Sequence, residues 1–173
     1  MLKNKSFTLL EVILAISVLT LAVGGSFGLL QQTLLAASLA SSKLTATYLA
    51  QEGIEIVRNI RDNNWLLQEV DESGNVSWKA GLIVESNPVN YYEAIYDSPS
   101  LILLSGDTKN LYINNDGFYS YDENGTKTKF KRIITIEDNG DYLNVAVKVE
   151  WQERIGGIQN IEARELLYNW YGY

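Results

Sequence analysis

The chain contains no cysteine and no histidine, and only two prolines and one methionine among 173 residues. Without cysteine there can be no disulfide, no thiolate metal ligand and no cysteine nucleophile. Without histidine the Ser-His-Asp arrangement and the common zinc sites disappear as well. Positive charge is also scarce: 14 Lys and Arg face 21 Asp and Glu, for a net charge of −7. A generic nucleic-acid binder is basic, because phosphate neutralisation drives its affinity. Much of the usual enzyme and nucleic-acid repertoire is therefore disfavoured before any motif is considered.

What remains divides into two unlike halves. The first sixty residues are rich in Leu, Ala and Ser; Trp, Tyr, Asn and Gly gather after residue 65. The chain opens with the short basic stretch MLKNKS, followed by FTLLEVILAISVLTLAVGGSFGLL, residues 7–30, with one ionisable group, Glu11. At 1.5 Å per residue a helix over this stretch is roughly 36 Å long, enough for a hydrocarbon core of about 30 Å. Lys3 and Lys5 on the short flank predict a cytoplasmic N-terminus with the bulk of the chain outside. Gly24, Gly25 and Gly28 make the outer end of this helix locally weak.

Helical patterning continues past the apolar run. Ala46, Leu49, Ala50, Gly53, Val57 and Ile60 recur at three- and four-residue steps as one apolar stripe, with Lys43, Gln51, Glu55, Arg58 and Asp62 mostly off it. Glu55–Arg58 and Arg58–Asp62 are spaced for helical ion pairs. Gly53 within the stripe allows a packing partner to approach closely. No proline interrupts residues 7–62, so one helix of roughly 84 Å is expected over them.

From Asn63 the period changes to two. Val145, Val147, Val149 and Trp151 point one way, and Asn144, Ala146, Lys148 and Glu150 the other, which is the pattern of a half-buried strand. Its expected partners are IQNIEARELLYNW, across the turn ERIGG, and TKTKFKRIITIED, across Asn139-Gly140. Shorter strand candidates are VSWKAGLIV, YYEAIY, LYIN and FYSY. Short turns between successive strands imply an antiparallel meander. The expected class is α+β: a long N-terminal helix, membrane-spanning in its first half and amphipathic in its second, packed on an antiparallel sheet like a lollipop.

The stretch KSFTLLEVILAISVL resembles the N-terminus of class III prepilins, the type IV pilin and pseudopilin superfamily. It combines a basic leader, a small residue, Phe, Thr-Leu-Leu-Glu and unbroken hydrophobicity, and covers residues 3 to about 30. Ser6 stands where that family usually carries Gly. The segments LAQEGIEIVRNIRDNNW and VKVEWQ…LLYNW resemble minor pilin-like proteins more loosely. The resemblance implies cleavage between Ser6 and Phe7 by a prepilin peptidase and N-methylation of the new Phe7 amine. It also implies assembly through the helix into a type IV pilus or type II secretion-like filament. The implied partners are other pilin subunits, a platform protein and an assembly ATPase. The implied location is the inner membrane, then a surface filament or pseudopilus. The chain parses accordingly into leader 1–6, filament-core helix 7–30, amphipathic continuation 31–62 and sheet domain 63–173.

Glu11 then acquires a physical reason. An acid at the centre of a membrane helix costs about 2.5–3.5 kcal/mol on insertion scales, and less near an end. In the bilayer it can snorkel, be protonated, or pair with the Phe7 amine. In a filament a neighbour's Phe7 amine would meet it in a dry core. Leaving such a buried charge unpaired costs several kcal/mol, so the pair sets register more than it adds stability.

Other constellations have ordinary explanations. Lys127, Lys129 and Lys131 share one strand face, with Phe130 and Arg132 on the other. With Tyr119 and Tyr121 they make a candidate nucleic-acid or anionic-surface contact, against the plainer reading of a lysine-guarded solvent face. Asp116, Asp122, Glu123 and Asn124 offer oxygen ligands but not EF-hand spacing, and Asx turns account for them. Glu150, Glu153, Glu162 and Glu165 lack a nucleophile–base arrangement. Trp151 and Trp170 are expected in the sheet-to-helix core rather than as ligand platforms, while Trp65 and Trp78, near the helix–sheet junction, fit either role. No catalysis, metal or cofactor is expected. The competing reading is a membrane-anchored extracellular binding module or adhesin that never polymerises; a secretory signal cut near Gly25 would explain the apolar run but not the helical pattern beyond it.

Overall fold

A computed structural model describes residues 8–68, 77–84, 87–96, 98–154 and 156–170. It shows an α+β chain: one helix, α1 (Leu9–Leu67), followed by β1 (Val89–Glu93), β2 (Ile102–Leu103), β3 (Asn110–Ile113), β4 (Tyr119–Ser120), β5 (Thr126–Asp138), β6 (Tyr142–Gln152) and β7 (Ile158–Tyr168). The chain divides into two compact units, Met1–Ser42 and Lys43–Tyr173.

In the first unit α1 starts at a cap. The Glu11 amide donates to the Thr8 carbonyl at 3.1 Å and, more weakly, to Thr8 Oγ1 at 3.4 Å. Thr8 with Glu11 three residues on matches the capping-box pattern at a helix start. The helix passes through Gly24, Gly25 and Gly28 without interruption. Every residue from Thr8 to Ser38 is exposed.

The second unit is built on β5. One edge of β5 pairs with β6 from Phe130↔Trp151 to Asp138↔Leu143. The other edge is shared end to end: β1 takes residues 134–137, and β3 takes the N-terminal part with a register shift between Asn110 and Tyr112. β2 extends β1, β4 extends β3 and β7 extends β6, so all seven strands form one antiparallel sheet. The two long hairpins are those read from the alternation. Gly140, at φ 83°, occupies the turn between β5 and β6, a conformation that costs glycine nothing.

The core is the apolar stripe of α1 against one sheet face. Ala46, Leu49, Ala50, Val57 and Ile60 are buried with Ile134, Ile136, Val145, Val147, Val149 and Trp151. Fully burying each large aliphatic side chain is worth about 1.5–3 kcal/mol. Gly53 is the point of closest approach: a Cβ built there would lie 2.7 Å from Val147 Cγ1.

Three local expectations are corrected. α1 does not end at Asp62 but runs to Leu67. The buried Asn64 side chain donates to the carbonyls of Trp78 and Ala80 at 3.0 and 2.8 Å, contacts that pin the extra turn. Gln68, at φ 53°, then stops the helix in the left-handed conformation typical of C-terminal caps. The described part of VSWKAGLIV, residues 77–84, is a pair of turns closed by Ala80 N–H to Ser77 O and Leu82 N–H to Lys79 O, not a strand. YYEAIY is a strand only to Glu93, and the two-residue β2 was not anticipated.

Candidate functional site

Ser6 and Phe7 lie outside the described residues; Glu11 lies within them, exposed in the first turn of α1. From Val12 to Ser42 the sequence has no ionisable side chain. Several of the hydroxyls it does carry are satisfied internally. Ser17 Oγ donates to Leu14 O, Thr20 Oγ1 to Ser17 O, Ser26 Oγ to Ala22 O and Thr33 Oγ1 to Leu29 O, all at 2.8–2.9 Å. A helix whose hydroxyls are turned back onto its own carbonyls meets the demand that a bilayer makes, where unpaired polar groups cost several kcal/mol. The large side chains stand open: Leu10 is 78% exposed, Leu14 63%, Leu19 64% and Phe27 62%. None of the most apolar stretch of α1 is buried by the chain itself. Such a surface is stable only in lipid or against other protein.

The lysine face is formed as expected. Phe130 and Arg132 are buried, and Lys127 and Lys129 are on the exposed side. Its charge is partly neutralised: Lys129 pairs with Glu153 at 2.8 Å, and Lys131 lies opposite Glu150 in the β5–β6 register. The four carboxylates weighed for glycoside chemistry are all in ion pairs. Glu150 pairs with Lys148, Glu153 with Lys129, Glu162 with Arg164 and Glu165 with Arg58. The Asx turns are present: Asn114 Oδ1 accepts from the amides of Asp116 and Phe118, and Asp122 Oδ1 from that of Asn124. Among the described residues no group of three or more potential ligands is placed to hold a metal.

Trp151 is in the core as expected, with its indole N–H donating to Glu153 at 2.7 Å. Trp170 is not: it is 65% exposed and meets Trp65 edge-on at 4.7 Å, because it follows the end of β7. Trp65 also stacks on Trp78 at 6.2 Å, which places both at the end of α1.

The residue that sequence reasoning passed over is Arg132. It is fully buried between α1 and the sheet, donating to Leu49 O at 3.1 Å and Ala94 O at 2.6 Å, with Glu52 at 3.3 Å. The phenol of Tyr121 reaches its carbonyl at 3.4 Å. Burial pushes the Tyr121 phenol up to about 12, against a smaller opposing pull from Arg132. Burial, then the nearby Glu52, also raises Tyr119. A cation held by two backbone carbonyls and one carboxylate is a structural clamp. The expected Arg58–Asp62 pair is replaced. Arg58 reaches Glu165 on β7 with two hydrogen bonds, at 3.2 and 2.6 Å, while keeping Glu55, and Asp62 pairs with Arg61. The Glu165 hydrogen bond, opposed by desolvation, holds the Arg58 guanidinium above its ordinary value.

Among the described residues the chain has one helix long and apolar enough to cross a membrane, a cap with an acid at its start, and a separately packed helix-and-sheet unit. Compared with known protein families, curated proteins and solved structures, it matches none.

Proposed function

We propose that this chain is a structural subunit, of minor-pilin or pseudopilin type, of a type IV pilus or type II secretion-like filament. The observation that carries the proposal is the first unit of α1. It is an uncovered apolar helix whose sole ionisable group, Glu11, sits in the first turn, four residues after Phe7 in the sequence. In this reading a prepilin peptidase cuts after Ser6 and methylates Phe7. The helix waits in the inner membrane with the sheet unit outside, and a platform protein and assembly ATPase then draw it into a helical bundle. Glu11 meets a neighbour's Phe7 amine and sets the axial register. The chain carries out no chemistry of its own, needs no cofactor, and offers the sheet unit for surface contact.

The test is the intact mass and N-terminal sequence of the protein taken from native membranes. A chain beginning at Phe7 and heavier by one methyl group is the expected result. Retention of MLKNKS would leave a membrane-anchored binding module, and a chain beginning near Ser26 would mean an ordinary secreted protein. Either would overturn the filament reading.

A further inference from the structure

The sheet ends on one long strand. Among the described residues β7 pairs with β6 alone, in an unbroken register from Tyr142↔Tyr168 to Gln152↔Ile158, so its other edge carries no strand. The other ends of the sheet are the two-residue strands β2 and β4. β7 has 11 residues, about twice the usual strand. A free edge of that length is a template for another strand, and proteins that keep such an edge unpaired shorten it, bulge it, or place Pro or Lys along it. β7 shows none of these: IQNIEARELLY has no Pro and no Lys, and its ladder to β6 has no bulge.

The charges that β7 does carry, Glu162, Arg164 and Glu165, say which strand fits. Glu165 is taken up by Arg58 of α1. Glu162 and Arg164 stand on the opposite face of the sheet and pair with each other along the strand. Residues directly opposed in an antiparallel pair share a face, so two copies of β7 can oppose only residues of like parity. Centred on Arg164, such a pair sets Arg against Arg; centred on Glu162, Glu against Glu. Centred on Ala163, it sets Glu162 of each copy against Arg164 of the other, and the four charges close a ring of alternating sign. Opposite charges directly across strands stabilise a pair and like charges weaken it. The same centre is the one that overlaps all 11 residues, for about ten backbone hydrogen bonds. It also brings Ile158, 69% exposed, against Tyr168, 50% exposed, at both ends.

We propose that the free edge of β7 docks β7 of a second copy, antiparallel and centred on Ala163, so that two sheets become one. The two-fold axis of this pair is perpendicular to the sheet. The buried stripe of α1 from Ala46 to Ile60 lies along the sheet face for roughly 21 Å, so the axis reverses it and the packed helices of the two copies run in opposite directions. Chains inserted side by side in one membrane all run the same way, so the partner is a copy presented from a facing surface. This contact goes beyond the filament reading and does not rest on it, because β7 keeps its edge whether or not the chain is cut after Ser6.

The chain's lack of cysteine makes the pairing readable as a disulfide. Ala163→Cys is oxidised in the detergent-solubilised full chain, and Asn160→Cys is mixed with a differently tagged Leu166→Cys chain. One of these two sites is the narrow pair of the ladder, whichever set of residues bonds across it. Ala163→Cys should dimerise with itself, and Asn160→Cys should couple with Leu166→Cys severalfold more than either does with itself. No dimer, or equal yields in every combination, would overturn the proposal. In the Ala163→Cys chain, Glu162→Arg and Arg164→Glu each oppose like charges and should cut the dimer severalfold. Mixed together, the two variants should recover it as the heterodimer, since each supplies the charge that the other lacks. Failure to recover, with the urea midpoint of each variant at the parent's value, would also overturn it. Differently tagged Ala163→Cys chains in two vesicle populations should cross-link when the vesicles are mixed; cross-linking only within a shared vesicle would refute the facing-surface partner. The N-terminal mass of the chain from native membranes separates the two readings. Ala163-centred dimers of a chain retaining MLKNKS would keep this proposal and sink the pilin one, and a correctly processed chain without them would do the reverse.

Discussion

Gly53→Ala should destabilise the sheet-bearing unit in the native chain and stabilise it once Val147 is trimmed to alanine. A Cβ at position 53 would lie 2.7 Å from Val147 Cγ1, 3.1 Å from Val147 Cγ2 and 3.5 Å from Arg132 Cδ. Carbon pairs settle at about 3.5–4.0 Å, so the first two contacts must open by several tenths of an ångström. Val147 has little room to give. It is fully buried, it pairs with Ile134 on one side and Ala163 on the other, and its branched β-carbon restricts its rotamer. Alanine gains about 0.8–1 kcal/mol over glycine in a helix, whereas overpacking a core costs about 1–3 kcal/mol. The net is a loss of about 1 kcal/mol, or about 4 °C in melting temperature for a unit of this size.

Val147→Ala alone removes both γ-methyl groups and should cost about 2 kcal/mol in transfer and cavity terms. In that background the nearest remaining atom, Arg132 Cδ at 3.5 Å, is an ordinary contact. Gly53→Ala then keeps its helical advantage and refills part of the space, so its sign reverses and the coupling is about 2 kcal/mol. The assay is urea unfolding of the detergent-solubilised full chain, followed by tryptophan fluorescence, for the four members of the cycle. A neutral or stabilising Gly53→Ala in the native background, or an equal effect in both, would refute the close-approach reasoning.

Arg132→Ala should cost about 3 kcal/mol in the same unfolding assay, because it leaves the buried Ala94 carbonyl without its 2.6 Å donor and opens a cavity; Arg132→Met, which refills the space, should cost less. Tyr121 sets an alkaline limit. Its phenol is raised to about 12 from an ordinary 10, so its contribution is complete below pH 10 and is lost as pH rises through 12. Removing it as Tyr121→Phe should flatten the stability decline between those values by about 2 kcal/mol, measured as urea midpoints against pH.

The parts of the fold that could be read from the sequence are those whose cause is local. Alternation from Asn144 to Trp151 and the Asn139-Gly140 turn set the β5–β6 hairpin, and the three-four stripe from Ala46 to Ile60 set the buried face of α1. The features that escaped depend on partners far along the chain. Asn63 and Asn64 look like a helix end, but Asn64 gains acceptors 14 and 16 residues away that pay for another turn. Alternation in KTKFKR correctly turned Arg132 inward with Phe130, yet nothing near it announces the carbonyls of Leu49 and Ala94, 83 and 38 residues distant. Arg58 forgoes Asp62 because Glu165, on β7, offers it two hydrogen bonds. As for the candidate site, the uncovered helix was plain from composition, while its Thr8 cap was in view as Thr-Leu-Leu-Glu and went unread.

That cap is one role for Glu11, and it can be separated from the proposed one in filament register. In the first turn a carboxylate gains about 0.3–1 kcal/mol from the helix dipole, whereas charge carried into the bilayer costs up to about 2.5–3.5 kcal/mol at a helix centre, and less near an end. For a plain anchor, glutamine therefore serves as well as glutamate or better: it also suits the third position of a capping box and carries no charge into lipid. On the filament reading the charge is the point, because only a carboxylate pairs with a neighbour's Phe7 ammonium. Glu11→Gln should then abolish surface filaments as fully as Glu11→Ala, while leaving membrane insertion and the sheet unit intact. Filament yield by electron microscopy, in a strain producing only the variant, decides it. Wild-type filaments from Glu11→Gln and none from Glu11→Ala would make Glu11 a cap and nothing more.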